Sequence, residues 1–395
     1  MIDGPFSPWP CYSEEEAEAV HAVLLSNQVN YWTGEQGSRF ESEFADFVGT
    51  RHAVAVANGT LALELALRGL GIGSHPGRRD EVIVTPRSFL ASASSIVAVG
   101  GVPVFADVDP DSQNITAANV AAVISPDTRA IIAVHLAGWP CEMGDLMALA
   151  ERLGLYLIED CAQAHGATWQ GHSVGSLGHV GCWSFCQDKI LTTGGEGGMV
   201  TTRDDELWRK MWAYKDHGKS WAAVNERKHP PGFRWLHESF GSNWRLTEMQ
   251  AAIGRLQLLR LPAWKRARRA NAERIWAVAR ACPGLRVPQP PAHLEHAAYK
   301  AYVFVEPERL RPGWDRDRIL AEIGSAGVPC LSGSCSEIYR EKAFEGSTWV
   351  PKRSLPVAKR LGETALMFLC HPTLTEAEVE LTCQVLEEVM QRAAR

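Results

Sequence analysis

Three short stretches of the chain hold side chains of the types that catalysis needs. In Gly181-Cys182-Trp183-Ser184-Phe185-Cys186-Gln187-Asp188-Lys189-Ile190-Leu191-Thr192-Thr193-Gly194-Gly195-Glu196-Gly197-Gly198, a lysine lies between an apolar run and a glycine-rich turn. An amine held there over a buried, partly desolvated site would condense with an aldehyde to a Schiff base. A surface lysine before a loop would have the same neighbours. In Glu159-Asp160-Cys161-Ala162-Gln163-Ala164-His165, the aspartate follows the apolar Leu155–Ile158. It therefore falls at the C-terminal end of a predicted strand, the edge where open α/β folds bind ligands. A carboxylate there can hold a protonated ring nitrogen; it can equally cap a helix. His165 is open to two readings, a ligand contact or a structural histidine. In Asn58-Gly59-Thr60, backbone N–H groups, a hydroxyl and a helix N-terminus would together cradle a phosphate, with Ser184 adding a second hydroxyl. Strand–turn–helix junctions without a phosphate are also common.

The elements that must position these groups follow from periodicity. Helices are expected at residues 14–25, with Ser13 as N-cap, and at 39–48. Short apolar runs at 52–57, 81–85, 102–108, 129–135 and 155–159 read as strands. Helical segments at 61–70, 91–99, 118–124 and 142–153 alternate with them, and 180–186 and 198–202 supply further strands. This alternation predicts a mostly parallel sheet covered by helices. Residues 247–280 read as helix, with Pro262 a kink or break. The basic run Lys265-Arg266-Ala267-Arg268-Arg269 reads as a solvated helix face, and Pro288-Gln289-Pro290-Pro291 as a turn-rich connector. A strand at 299–305, two helices, a strand and a closing helix at 376–392 complete the chain. We therefore expect an α/β large domain over residues 1–260 and a smaller C-terminal α+β domain over 261–395. The N-terminal segment is expected to pack near the latter.

Bulk properties narrow the function. At 395 residues the chain is long enough for two domains. Its net charge of −6 argues against a nucleic-acid partner, which usually meets a basic footprint. No apolar run reaches a membrane span, and Met1-Ile2-Asp3-Gly4-Pro5 lacks the features of a leader, so a cytoplasmic protein is expected. Ten cysteines are scattered; Cys182/Cys186 and Cys330/Cys335 lack C-x-x-C spacing, so reduced thiols and no metal are expected.

Taken jointly and in order, the motifs resemble the DegT/StrS family of sugar aminotransferases. The marks are Trp32-Thr33-Gly34, Phe40-Glu41-x-x-Phe44-Ala45, Asn58-Gly59-Thr60-x-Ala62-Leu63 and Pro86-x-Ser88-Phe89-x-Ala91-Ser92. Further along come Val134-His135-Leu136, Glu159-Asp160-x-Ala162-Gln163-Ala164-His165-Gly166, Ser184-Phe185-x-x-x-Lys189 and Asn243-x-Arg245. The resemblance implies the aspartate aminotransferase type of fold and pyridoxal 5′-phosphate as cofactor. It implies that Lys189 is the Schiff-base lysine and Asp160 the partner of the pyridine nitrogen. Gln163 would lie near the ring hydroxyl, with Phe89 and Ala162 on the two faces of the ring. Gly59, Thr60 and Ser184 would contact the phosphate, and Asn243 would be donated to it by a second subunit, making a homodimer with shared sites. Trp32, Thr33 and His165 are candidate substrate contacts. The implied reaction moves an amino group, with glutamate the expected donor, to a nucleotide-linked keto-sugar, for surface polysaccharide or natural-product synthesis. A keto-cyclitol acceptor and a non-catalytic, cofactor-binding protein are the alternatives. A dehydratase relative would carry histidine in place of Lys189. The chain departs from the family pattern at Ala137, in an extra glycine within 192–196, and in the long segment 218–240.

Overall fold

The computed structural model describes residues 6–75 and 77–395; the segment Met1–Pro5 and residue 76 lie outside them. In chain order the strands are β1 (His52–Val56), β2 (Glu81–Val84), β3 (Val102–Phe105), β4 (Thr128–Val134), β5 (Tyr156–Asp160), β6 (Thr168–Trp169), β7 (His172–Ser173), β8 (Val180–Ser184) and β9 (Gly198–Thr202). They are followed by β10 (Leu285–Arg286), β11 (Leu294–Glu295), β12 (Ala301–Val305), β13 (Cys330–Leu331) and β14 (Ala365–Phe368). The helices are α1 (Glu14–Ser26), α2 (Gln36–Val48), α3 (Gly59–Gly69), α4 (Ala91–Ala98), α5 (Ala117–Ala121) and α6 (Met143–Leu153). After these come α7 (Asp205–Lys215), α8 (Trp221–Asn225), α9 (Glu248–Ala281), α10 (Arg316–Ser325), α11 (Pro356–Thr364) and α12 (Glu376–Ala393).

A seven-stranded sheet in the order β1-β9-β8-β5-β4-β2-β3 forms the centre. The run β8-β5-β4-β2-β3 is parallel, and β9 runs against both its neighbours. Side chains alternate along each strand, so both faces must be covered. Val54 and Val56 pack with Leu63 and Leu67 of α3. The intervening Ala53 and Ala55 pack with Phe40 and Phe44 of α2. Ile83, Ile131 and Leu157 meet Leu146 and Leu149 of α6. The expected mostly parallel, helix-covered sheet is the one observed.

A second sheet, β10-β12-β14-β13, is antiparallel throughout. Its core joins Val303 and Phe368 to Ile275 of α9, Ile319 of α10 and Leu386 of α12. It also meets the large sheet directly, because Phe304, Leu361 and Ala365 share a core with Ile83 and Ile131.

Several expectations need correction. Pro262 neither breaks nor ends its helix: α9 runs 34 residues through it. Pro262 is exposed, so its ring displaces no core side chain. An expected division at residues 260 and 261 falls inside this helix. Leu258 and Leu261 pack against the large sheet's core, whereas Ala272, Ile275 and Ala279 pack into the second. The helix α7, capped by Asp204, is absent from the sequence-based reading. The basic run is only partly a solvated face, since Arg268 is buried with its guanidinium 4.7 Å from the Trp9 ring.

Candidate active site

The C-terminal ends of the parallel strands open into one cavity of about 550 Å³. Lys189, Asp160, Gly59, Thr60, Phe89, Ala162, Gln163 and Ser184, the residues that four separate motifs nominate, all line it. Chain crossovers bring them together, because β1, β5 and β8 end at the same edge.

Asp160 closes β5 and is 6% exposed. Its Oδ2 accepts the Ser92 hydroxyl at 2.8 Å, and its Oδ1 accepts the Ala162 N–H at 3.2 Å. Burial pushes its carboxyl above the ordinary range, although both hydrogen bonds and the charge of Lys189 oppose that. A group so placed needs a cationic partner to stay ionised. Behind it, Glu159 takes the N–H groups of Gly175, Leu177 and Gly178 at 2.8, 2.8 and 2.6 Å. His135 Nε2 lies 3.0 Å from the same carboxylate, while its Nδ1 accepts from Cys141 N. Glu159, His135 and Cys161 stand close enough to hold a metal ion. The carboxylate and the imidazole are already committed to these hydrogen bonds, so the cluster reads as the brace that fixes the end of β5.

Lys189 sits on the connection from β8 to β9. Phe185 N donates to Gly197 O and Thr193 N to Phe185 O, which folds this connection back on itself. The turn at Gly194 and Gly195, with φ of 81° and 125°, needs glycine. Outside supports hold the lysine in place. Trp9 Nε1 donates to the Lys189 carbonyl at 2.8 Å, and Thr192 N donates to Gln257 Oε1 at 2.9 Å.

Asn58 caps α3, accepting Leu61 N at 2.9 Å. The N–H groups of Gly59 and Thr60 are then first-turn donors for which the helix has no acceptor. A Cβ on Gly59 would lie 2.5 Å from that of Ser184, so only glycine lets α3 approach β8 this closely. Phe89, 72% exposed, stands at the cavity wall. Gln163 Oε1 accepts Ala137 N at 2.8 Å, which orients its amide.

Four candidates do not reach the cavity of their own chain. His165 is fully buried between Trp183 and Phe185. Burial and the charges of Lys189 and Arg268 push its pKa down to about 3, leaving a neutral core histidine rather than a substrate contact. Trp32 is partly exposed, with Lys219 Nζ 4.0 Å from its ring, and Thr33 is exposed in the turn after Asn30. Asn243 is exposed and bridges Asp216, whose carboxylate holds Arg245 at 2.6 Å and Lys219 at 3.3 Å. Trp32 and Asn243 thus belong to one surface unit.

Sequence reasoning assigned no role to Ser92, Ser88, Cys186, Asp188 and Glu196 at the cavity, nor to Trp9 and Tyr299 behind it. Ser88 and Ser92 are themselves motif positions, and Asp188 adjoins Lys189. Nothing local marks Trp9 or Tyr299, which arrive from remote parts of the chain.

Fold and site define a class: an α/β enzyme of the aspartate aminotransferase type, with a lysine and a buried carboxylate facing one cavity at the sheet edge. Within that class, the chain belongs to the DegT/DnrJ/EryC1/StrS aminotransferase family, matched over residues 10–387, and is an aminotransferase. It is similar to the UDP-N-acetyl-3-dehydro-alpha-D-glucosamine 3-aminotransferase of Acidithiobacillus ferrooxidans, at 36% identity over 93% of this chain and 92% of that one. The L-glutamine:2-deoxy-scyllo-inosose aminotransferase of Streptomyces kanamyceticus is also 36% identical, over 83% of this chain and 78% of its own. Among solved structures, an aminotransferase from Psychrobacter cryohalolentis superposes with a TM-score of 0.96 at 58% identity, covering 98% of this chain and 99% of that one.

Proposed function

We propose that the protein transfers an amino group from an amino-acid donor, L-glutamate in our reading, to a keto-sugar carried on a nucleoside diphosphate, with pyridoxal 5′-phosphate bound at Lys189. The observation that carries this is the shared cavity of Lys189, Asp160 and the α3 N-terminus. These residues fit the cofactor. First-turn N–H groups of α3 with the Thr60 and Ser184 hydroxyls suit a phosphate, and the buried Asp160 carboxylate suits a protonated ring nitrogen. Phe89 and Ala162 would flank the ring, and the Gln163 amide would face its hydroxyl. When bound, the cofactor supplies an electron sink and a carrier for the amino group.

The chain's own groups do the remaining work. Lys189 Nζ would hold the cofactor and, when free, would take the proton from the donor Cα and hand it on to the second carbon that accepts it. Asp160 would keep the ring nitrogen charged. The same groups run the second half in reverse, so donor and acceptor bind alternately.

Asn243 would act on the phosphate of a second copy, with Trp32 and Thr33 near the sugar there. Support comes from exposure: Phe233, Trp235 and Phe240 are 76%, 80% and 99% exposed, apolar surface that a homodimer would cover. Among the described residues no helix is long and apolar enough to cross a membrane. We place the enzyme in the cytoplasm.

Incubating the purified enzyme and glutamate with nucleotide keto-sugars and keto-cyclitols, followed by product mass, tests the proposal. Amination of a nucleotide-linked sugar is expected. Amination of cyclitols alone would move the assignment to the cyclitol reading, which the relatedness to an inosose aminotransferase keeps in play.

A further inference from the structure

Asp188 immediately precedes Lys189 and lines the same cavity. Its Oδ1 lies 3.3 Å from Lys189 Nζ. Its Oδ2 accepts the hydroxyl of Tyr299 at 2.5 Å. Tyr299 comes from the segment before β12 and is buried in the same core as Phe185, Ile190 and Leu191. Its ring lies 5.4 Å from Lys189 Nζ. The carboxylate is therefore held from one side by a fixed phenol and presents its other oxygen to the amine.

The remaining charged neighbours do not replace this pair. Lys300, whose Nζ lies 5.1 Å from the Tyr299 ring, and the buried Arg268 are cations. His165 is neutral, and Asp160 is engaged by Ser92 and Ala162. Cys186 and Glu196 also line the cavity, 3.8 Å apart, and contact each other. Burial raises the Asp188 carboxyl, but the charge of Lys189 and the Tyr299 hydroxyl outweigh it and hold it below its ordinary value. Burial and Asp188 push Tyr299 well above its ordinary value, so it remains a donor.

We infer that Asp188, oriented by Tyr299, is the docking carboxylate for the Lys189 amine whenever that amine is not joined to the cofactor. The inference rests on the reading of Lys189 as the cofactor lysine. Each half-reaction frees the lysine, which must then carry one proton between two carbons. A free lysine side chain has many rotamers to lose, and its ammonium is drawn towards water. Asp188 offsets both tendencies at the point where the amine is used. Asp188 and Tyr299 form no bond to carbon, and the proton taken from the first carbon stays on Nζ until it is delivered to the second. Asp188 touches a reacting atom and is a catalytic residue; Tyr299 is a positioning residue.

The test is the reactivity of one amine. Full-length protein, freed of cofactor by dialysis against an amino donor, is acetylated with limiting N-hydroxysuccinimidyl acetate near neutral pH. Peptide mass spectrometry follows Lys189 against the exposed Lys210 as internal standard. Asp188→Asn should raise the relative rate at Lys189 about tenfold, the lower end for loss of an adjacent opposite charge at a half-open site. Tyr299→Phe should give a smaller rise, and Asp188→Glu should return towards wild type. In the loaded enzyme, Asp188→Asn should lower the rate of the glutamate half-reaction with little change in donor KM. Unchanged Lys189 reactivity in both Asp188→Asn and Tyr299→Phe overturns the inference. Borohydride labelling of another lysine in the wild-type holoenzyme would instead overturn the cofactor assignment, so the two failures are distinct.

Discussion

Asp160 is costly where it stands. Its burial disfavours the charged form, and Ser92 and Ala162 relieve only part of that cost. A protonated ring nitrogen would supply the missing positive charge. Asp160→Asn preserves the shape and can keep the Ser92 contact, so unfolding should change little. The single-turnover rate with glutamate should fall by about 10² or more, as expected when a preorganised charge is removed. A near-wild-type rate would reject the role. Lys189→Ala should abolish turnover while leaving phosphate contacts able to retain some cofactor. Borohydride reduction and peptide mapping of the wild type should label Lys189, and a label elsewhere would overturn the assignment. Both residues were legible in the sequence because each lies beside a strand that periodicity could find. Asp188 was overlooked although adjacent, because its partner Tyr299 lies 111 residues away.

At the scale of elements, the junction of α3 with β8 is the tightest part of the site. A side chain on Gly59 must displace Ser184, the residue that offers the second hydroxyl. Gly59→Ala should therefore weaken cofactor binding by roughly tenfold or more, equivalent to about 1.4 kcal/mol. Equilibrium dialysis against the cofactor would read this, and unchanged affinity would show that α3 can retreat freely. The N-terminal segment is a second device. Ser7 Oγ bonds Glu378 of α12, Thr373 bonds the Pro8 carbonyl, and Trp9 reaches the Lys189 carbonyl. Trp9→Phe keeps a ring over Arg268 but removes that last bond, at a cost of about 1 kcal/mol. Faster amide exchange across residues 186–193 is the expected signature, and unchanged exchange there would deny the segment any hold on the lysine loop.

For the whole molecule, two expectations concern assembly and acid. If Asn243 serves the neighbouring copy, mixing Lys189→Ala chains with chains carrying a disruptive Asn243 substitution should restore activity, since one site then receives both wild-type residues. Proven subunit exchange without recovered activity would exclude the arrangement. Three buried histidines contribute to the acid response. Burial, aided by nearby cations, pushes His165 and His296 down to about 3 and His371 to about 4. The unfolded chain, with these groups near 6.5, binds more protons than the native state between pH 6.5 and about 4. Their contribution to stability is thus complete above pH 6.5 and falls as the pH drops through that window, by about 1 kcal/mol per unit for each histidine. Urea midpoints from pH 7 to 5 should show the decline, and replacing His371 with glutamine should flatten it. A pH-independent midpoint would contradict the buried neutral state.

Most of the sheet and its covering helices, α7 excepted, were determined by local pattern, because strand and helix periods are written in consecutive residues and each buried face needs its own apolar set. The cavity groups were legible for the same reason: they sit at the ends of those periods, where loops must begin. Other features had no local signal. The neutral burial of His165, the passage of α9 through Pro262 and the loss of Arg268 from the solvated face depend on which side of an element meets which core. The clamp of Trp9 and Tyr299 on the lysine loop depends on chain segments more than a hundred residues away. Only the packed structure decides such contacts, since their energy comes from burial and geometry that no short stretch of sequence contains.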